Sequence, residues 1–283
     1  MDTKTLVDGL YFPECPRWHQ SRLWFSDLYD HAVKSTSIAG DLRTEATLDD
    51  KPAGLGWLPD GRLLIVSMQA RTLLRREQSG DLVKHADISR LIDFSANDMA
   101  VDAEGRAWVG GFGFDLETEF AARPYEEIIA NPPPANIARV DRDGSVHLAA
   151  SGMLFPNGSV VTPDGKTLIV AETLGARLTA FTITPDGRLT DRRVWAPVPG
   201  RNPDGIALAP DGNIWMANGL GPECVLVAPG GEILRNVETS QLCLACAIGG
   251  DSGDTLFLAT SSDWRSEVVS QSRTGKIEYI SLA

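Results

Sequence analysis

Four oxygen-bearing side chains fall at one repeating offset in this chain. Counting eight residues back from a series of turn glycines gives Ala53 from Gly61, Asn97 from Gly105, Asn157 from Gly165, Asp204 from Gly212 and Ala245 from Gly253. In the first copy the turn is Ser21-Arg22, and the same place falls at Pro13 or Glu14. Apolar residues follow, as in NDMAV, NGSVV and DGIAL. A strand start inside a core is normally apolar, because burying an unpaired polar group costs about 2–7 kcal/mol. Glu14, Asn97, Asn157 and Asp204 converging on one axis therefore need a partner, and a single cation is the economical one. Two carboxylates neutralise a divalent ion. Oxygen-only ligation suits Ca2+, Mg2+ or Mn2+ better than a thiophilic metal, with Zn2+ and Fe2+ left open. The competing reading is turn capping. It accounts for Asn157-Gly158 and Asp204-Gly205, since Asn-Gly and Asp-Gly are strong turn formers, but not for Glu14-Cys15 or Asn97-Asp98.

Other chemistries find less support. The four histidines, His19, His31, His85 and His147, show no metal-ligand or triad spacing and read as surface residues. There is no G-x-S-x-G elbow, no P-loop and no dinucleotide fingerprint. Cys243 and Cys246 form a C-x-x-C, but in an apolar strand-like run, QLCLACAIGG, without a second pair. Together with Cys15 and Cys224 they read as buried, unbonded thiols.

The elements that would position the oxygens come from a repeat. A turn followed by an apolar run recurs six times: SRLWFSD (21–27), PDGRLLIVS (59–67), AEGRAWVGG (103–111), PDGKTLIVAE (163–172), PDGNIWMAN (210–218) and SGDTLFLAT (252–260). A second pattern of strand, glycine turn and strand interleaves with it, from KSTSIAGDL (34–42) to SRTGKIEYI (272–280). Each unit thus holds two hairpins, at a period of about 47 residues, the range of four-stranded propeller blades. The expected fold is all-β: a six-bladed β-propeller with four antiparallel strands per blade and a central metal site, forming a single domain over residues 1–283. Residues 5–10 are expected to add a strand to the C-terminal blade, and ADISRLIDF (86–94) to form a loop or one helical turn. Residues 111–135 break the period and carry Phe112, Phe114, Phe120 and Tyr125. They read as a loop serving as a lid over one mouth of the channel.

A formal charge of −12 argues against nucleic acid as a partner. No apolar stretch is long enough for a membrane span, and the first residues lack a leader pattern, so the expectation is a cytoplasmic protein without membrane partners. Its oligomeric state is left open.

The segments PECPRW (13–18), NDMAVDAEGRAWVG (97–110), FPNGSVVTPDGKTLIVAET (155–173), NPDGIALAPDGNIWMAN (202–218) and ACAIGGDSGDTLFLAT resemble the family of senescence marker protein (regucalcin), gluconolactonase and luciferin-regenerating enzyme. The resemblance runs through nearly the whole chain in order. It implies a six-bladed propeller, one divalent metal (calcium foremost) held by Glu14, Asn157 and Asp204, and Asn97 close to metal and substrate. It also implies hydrolysis of an aldonolactone, a carboxylic-ester hydrolase activity; relatives with a similar propeller cleave organophosphates. One departure stands out. Sugar lactonases of the family commonly carry arginine two residues before the Asn-Asp pair, and here that residue is Ser95, with Met99 in place of a glycine. A less hydroxylated lactone or an ester is then the expected substrate, with Asp204 as general base and Asn97 binding the substrate. A metal-stabilised propeller that binds a small ligand or a protein without turnover, and phosphoester cleavage, are the rival readings.

Overall fold

The computed structural model describes residues 3–283. Among the described residues every strand belongs to one of six four-stranded antiparallel sheets, which together make a six-bladed β-propeller. Sheet one holds Pro13–His19, Arg22–Asp27, Ala32–Thr36 and Leu42–Thr47, and sheets two to five repeat this meander. The chain divides into two compact units. One comprises Met1–Pro52 and Asp204–Ala283, and so contains sheets one, five and six. The other, Ala53–Pro203, contains sheets two, three and four.

The turns explain the period. In sheet two, Leu58 N–H donates to the Arg62 carbonyl (2.9 Å) and Gly61 N–H to the Leu58 carbonyl (2.8 Å), with Gly61 at φ +84°. A turn closed by a left-handed residue favours glycine there. Sheet one has no glycine in this turn, and Gln20 (φ 49°) and Ser21 (φ 60°) adopt the left-handed conformation themselves.

The apolar runs that follow these turns form the second strand of each sheet. Leu63–Ser67, Ala107–Gly111 and Ile214–Asn218 are buried at every residue. Fourth strands such as Leu42–Thr47 are mostly exposed. A strand covered on both faces reads as a continuous apolar run, which is why the second strands were the most visible in the sequence. In one unit the core gathers around Leu64, Val109 and Met99, and around Trp108 and Phe181. In the other it gathers around Trp215 and Leu258, and around Phe25 and Phe257.

Sheet six departs from the expected pattern. SRTGKIEYI contains one strand, Gly275–Ser281, and not a hairpin. The fourth strand is Lys4–Leu10, paired antiparallel to it with Thr5 opposite Glu278 and Leu10 opposite Gly275. The expected N-terminal strand is therefore present, and it covers an edge that would otherwise expose unpaired amides.

ADISRLIDF contributes a strand end at Ala86–Asp87 and then one helical turn, in which Ile92 N–H donates to the Ile88 carbonyl (3.0 Å). Residues 111–135 hold two short helices, Leu116–Ala122 and Tyr125–Ala130, where a loop was expected. Asp115 caps the first, accepting the Thr118 N–H (3.2 Å), and Pro124 precedes the second. Among the described residues no helix is long and apolar enough to cross a membrane.

Candidate metal and active site

The candidate oxygens share one place in the fold. Glu14, Asn97, Asn157 and Asp204 are each the second residue of the first strand in their sheet: Pro13–His19, Ala96–Val101, Pro156–Val161 and Pro203–Leu208. Asn157-Gly158 and Asp204-Gly205 lie within strands, so turn capping does not explain them. Gly205 has a packing reason instead: a Cβ there would lie 2.3 Å from the Ala245 Cβ.

At three of these places the ladder slips. The register shifts between Glu14 and Arg17, between Ala96 and Met99, and between Pro156 and Ser159. One extra residue opens the pairing, bends the strand and re-aims the side chain, as bulges beside functional sites do. In sheet one the bulge also places Cys15 at φ 52°. There Cys15 N–H donates to the Glu14 Oε2 (3.2 Å), so the carboxylate folds over its own bulge.

In sheet six the equivalent residue is Cys243, not Ala245. Gly205 packs on Leu244 and Ala245 as Gly54 packs on Asp98 and Met99, and the bulge falls between Cys243 and Ala245. That hairpin is longer, so an offset counted from the turn overshoots.

Asn97 Nδ2 donates to Asn157 Oδ1 (3.1 Å). Asn157 Nδ2 donates to the Thr173 hydroxyl (3.2 Å), which itself donates to the Pro203 carbonyl (2.7 Å). This chain fixes the orientation of the Asn157 amide and leaves its oxygen a second acceptor direction. Asn97 lends no oxygen to any hydrogen bond among the described residues. Two neighbouring amides thus present oxygen that the protein has not used up. Asp204 is placed differently: its Oδ2 lies 2.5 Å from where a Cβ on Gly219 would be, so only glycine at 219 leaves room for this carboxylate.

Among the described residues no group of three or more His, Cys, Asp or Glu side chains could hold a metal ion. A cation here therefore needs amide oxygen, which Asn97 and Asn157 supply, and the all-oxygen donor set fits a hard ion. The histidines offer nothing comparable. His31 and His147 are exposed, His147 beside Asp141 (3.1 Å), and burial pushes the pKa of His19 and His85 down. All four cysteines are free and buried, as expected of unbonded core thiols, and burial pushes the Cys224 and Cys243 thiols up.

The insertion packs beside Asn157. Phe114 and Ile128 are buried with Phe155 and Leu174, and Phe112, Phe120 and Tyr125 pack around them. The rings of Phe112 and Phe155 lie 4.6 Å apart. The Tyr125 hydroxyl accepts a hydrogen bond from Asn202 Nδ2. Thr173, Gly219, Phe155 and Asn202 are site neighbours that the repeat offset could not reveal.

Residues 12–262 match the SMP-30/Gluconolactonase/LRE-like region family. The chain belongs to this family. It is 26% identical over 271 residues to a pentonolactonase of Haloferax volcanii, covering 92% of this chain and 84% of that protein. It is 25% identical over 177 residues to a 6-deoxy-6-sulfogluconolactonase of Pseudomonas putida, covering 60% of this chain and 55% of that protein, about half its length. Among solved structures, a calcium-binding regucalcin of Agrobacterium tumefaciens superposes with a TM-score of 0.79 at 18% identity, over 99% of this chain and 93% of that one. That likeness shows the fold.

Proposed function

We propose that this protein is a divalent-cation-dependent lactonase whose metal ligands are Glu14, Asn157 and Asp204, with Asn97 beside the substrate. The observation that carries this reading is the shared strand position of these four residues, bulged at Glu14, Asn97 and Asn157. The pentonolactonase and sulfogluconolactonase relatives support lactone opening, and the calcium-binding relative supports calcium as the ion. When bound, the cation supplies Lewis-acid stabilisation of the charge that develops on the ester carbonyl oxygen. Asp204 is the general base: its carboxylate takes a proton from the water that attacks the carbonyl carbon. Asn97 orients the substrate through its amide, and Thr173 keeps the Asn157 oxygen turned away from the strand. The aromatic insertion carrying Phe112, Phe114, Phe120 and Tyr125 serves as a lid that excludes water.

The substrate we propose is a lactone or ester with few hydroxyls. Ser95 replaces the arginine that sugar lactonases use, and the flank of Asn157 is apolar through Phe155 and Phe112. A proton-release assay over aldonolactones, alkyl lactones, aryl esters and phosphotriesters, with and without chelator, tests this. Turnover of alkyl lactones that chelator abolishes and Ca2+ or Mn2+ restores is expected. Chelator-insensitive turnover sinks the metal role, and a protein that loses thermal stability with chelator but turns over nothing is a binding propeller.

A further inference from the structure

We propose that Asp27 and Glu172 are positioning residues for the cation site, each holding the backbone that leads into a ligand, Glu14 or Asn157. The inference rests on the metal-dependent reading above. A bulge removes the ladder hydrogen bonds that would fix a strand, so a ligand placed on one has to be held by contacts other than the ladder. Both carboxylates occupy the last position of the second strand, directly opposite the residue before the ligand: Pro13 pairs with Asp27 and Pro156 with Glu172. Asp27 Oδ1 accepts the N–H groups of Tyr11 (3.1 Å) and Phe12 (2.9 Å). Glu172 Oε2 accepts the Leu154 N–H (2.7 Å). Both side chains are fully buried, and each meets a cationic partner. Lys34 Nζ lies 2.7 Å from Asp27, and Arg177 Nε lies 2.9 Å from Glu172, with Arg192 at 3.4 Å. Charged acceptors make the stronger and more directional bonds to backbone amides.

The other sheets show what this slot does. In sheet three it is Gly111, and the chain before Asn97 lies directly on it: a Cβ at 111 would meet the Ser95 carbonyl at 3.0 Å and Ile92 at 2.4 Å. In sheets two and six, whose first strands carry no oxygen ligand, the slot holds Ser67 and Ser261. In sheet five, which bears Asp204, the slot holds Asn218, so carboxylates occupy it in two of the three sheets that bear proposed ligands and in neither of the two that lack an oxygen at that place.

Calorimetric titration of the chelator-treated full-length protein with Ca2+ and with Mn2+ tests the assignment. Outer partners of metal ligands are worth about tenfold to a hundredfold in affinity. Asp27→Ala and Glu172→Ala are expected to weaken cation binding at least tenfold. Asp27→Asn and Glu172→Gln keep an acceptor but lose its charge, and should weaken binding about threefold to tenfold. The control is Glu278→Gln, a buried carboxylate of sheet six that accepts the Ser240 N–H (3.3 Å) and leads into no ligand. It should leave affinity within twofold. If the alanine variants do not fold, the amide variants decide. Affinity within twofold of wild type in folded Glu172→Gln and Asp27→Asn overturns this inference alone. Equal weakening in Glu278→Gln also overturns it, since the effect is then general destabilisation. A wild-type protein that binds neither ion overturns the lactonase reading, and this inference with it.

Discussion

Gly219 is constrained by a side chain that is not its own. A methyl group there would sit 2.5 Å from Asp204 Oδ2, and the carboxylate would have to move. Displacing a catalytic group by about 1 Å can cost about 100-fold in rate. Gly219→Ala is therefore expected to lower kcat/KM for the best lactone by roughly that factor while melting within a few degrees of wild type. Wild-type turnover in this variant would detach Asp204 from the chemistry. Asp204→Ala should remove cation binding and activity together, and full activity in it would reject the base and ligand assignment. Thr173→Val tests the orientation of Asn157. Losing the hydroxyl strands a buried amide donor and the Pro203 carbonyl, a cost of about 1–3 kcal/mol, so both melting temperature and cation affinity should fall. Asn97, Asn157 and Asp204 could be placed from the sequence because a constant hairpin length ties each to its turn glycine; Glu14, whose turn Ser21-Arg22 has no glycine, was one of two candidates with Pro13. Thr173 and Gly219 could not be placed. Their roles lie toward residues 16 and 15 positions away, on a neighbouring strand, and no local pattern marks them.

Secondary-structure elements add constraints that single residues do not. The second strands announced themselves through continuous burial, and the turn glycines through their left-handed φ. The insertion was visible as an interruption, but its helices were not, being two turns or less and held by tertiary contacts that propensity does not report. Phe114 and Ile128 supply those contacts. Phe114→Ala should cost about 3–5 kcal/mol if the insertion melts with the rest of the molecule. If it folds as a local lid, the global transition stays put and amide exchange quickens only across 112–134. The strand pair around Glu172 carries a pH signature. Burial opposes ionisation of this carboxylate, but the Arg177, Thr179 and Leu154 hydrogen bonds and the Arg177 charge outweigh it and hold the pKa below the usual carboxylate range. Its contribution to stability is then complete above the unfolded value of about 4.3 and disappears as pH falls through the lower folded value. Wild type should outlast Glu172→Gln in thermal melts at pH 7, and the gap should narrow below pH 4. A gap that stays constant with acid would show the carboxylate to be neutral in the folded protein.

At the scale of the molecule, sheet number and strand order were readable from a six-fold pattern, and the sixth copy showed where repetition misleads. Its hairpin is longer, which moved the equivalent residue to Cys243, and its last strand is borrowed from the other end of the chain. Removing residues 3–10 should therefore do more than trim a tail. It uncovers Gly275–Ser281 and deletes the buried Val7 and Leu10. A large fall in melting temperature and self-association through the bare edge are expected, visible by light scattering; a truncated protein that melts like wild type would make the pairing dispensable. The same strand has a consequence during biosynthesis. Lys4–Leu10 is synthesised well before its partner Gly275–Ser281, so at about 5–20 residues per second the earlier segment waits roughly 13–54 s for something to zip onto. Closure of this sheet therefore comes late in synthesis, and the nascent polypeptide depends on chaperones or on its own solubility to keep that early segment from foreign partners.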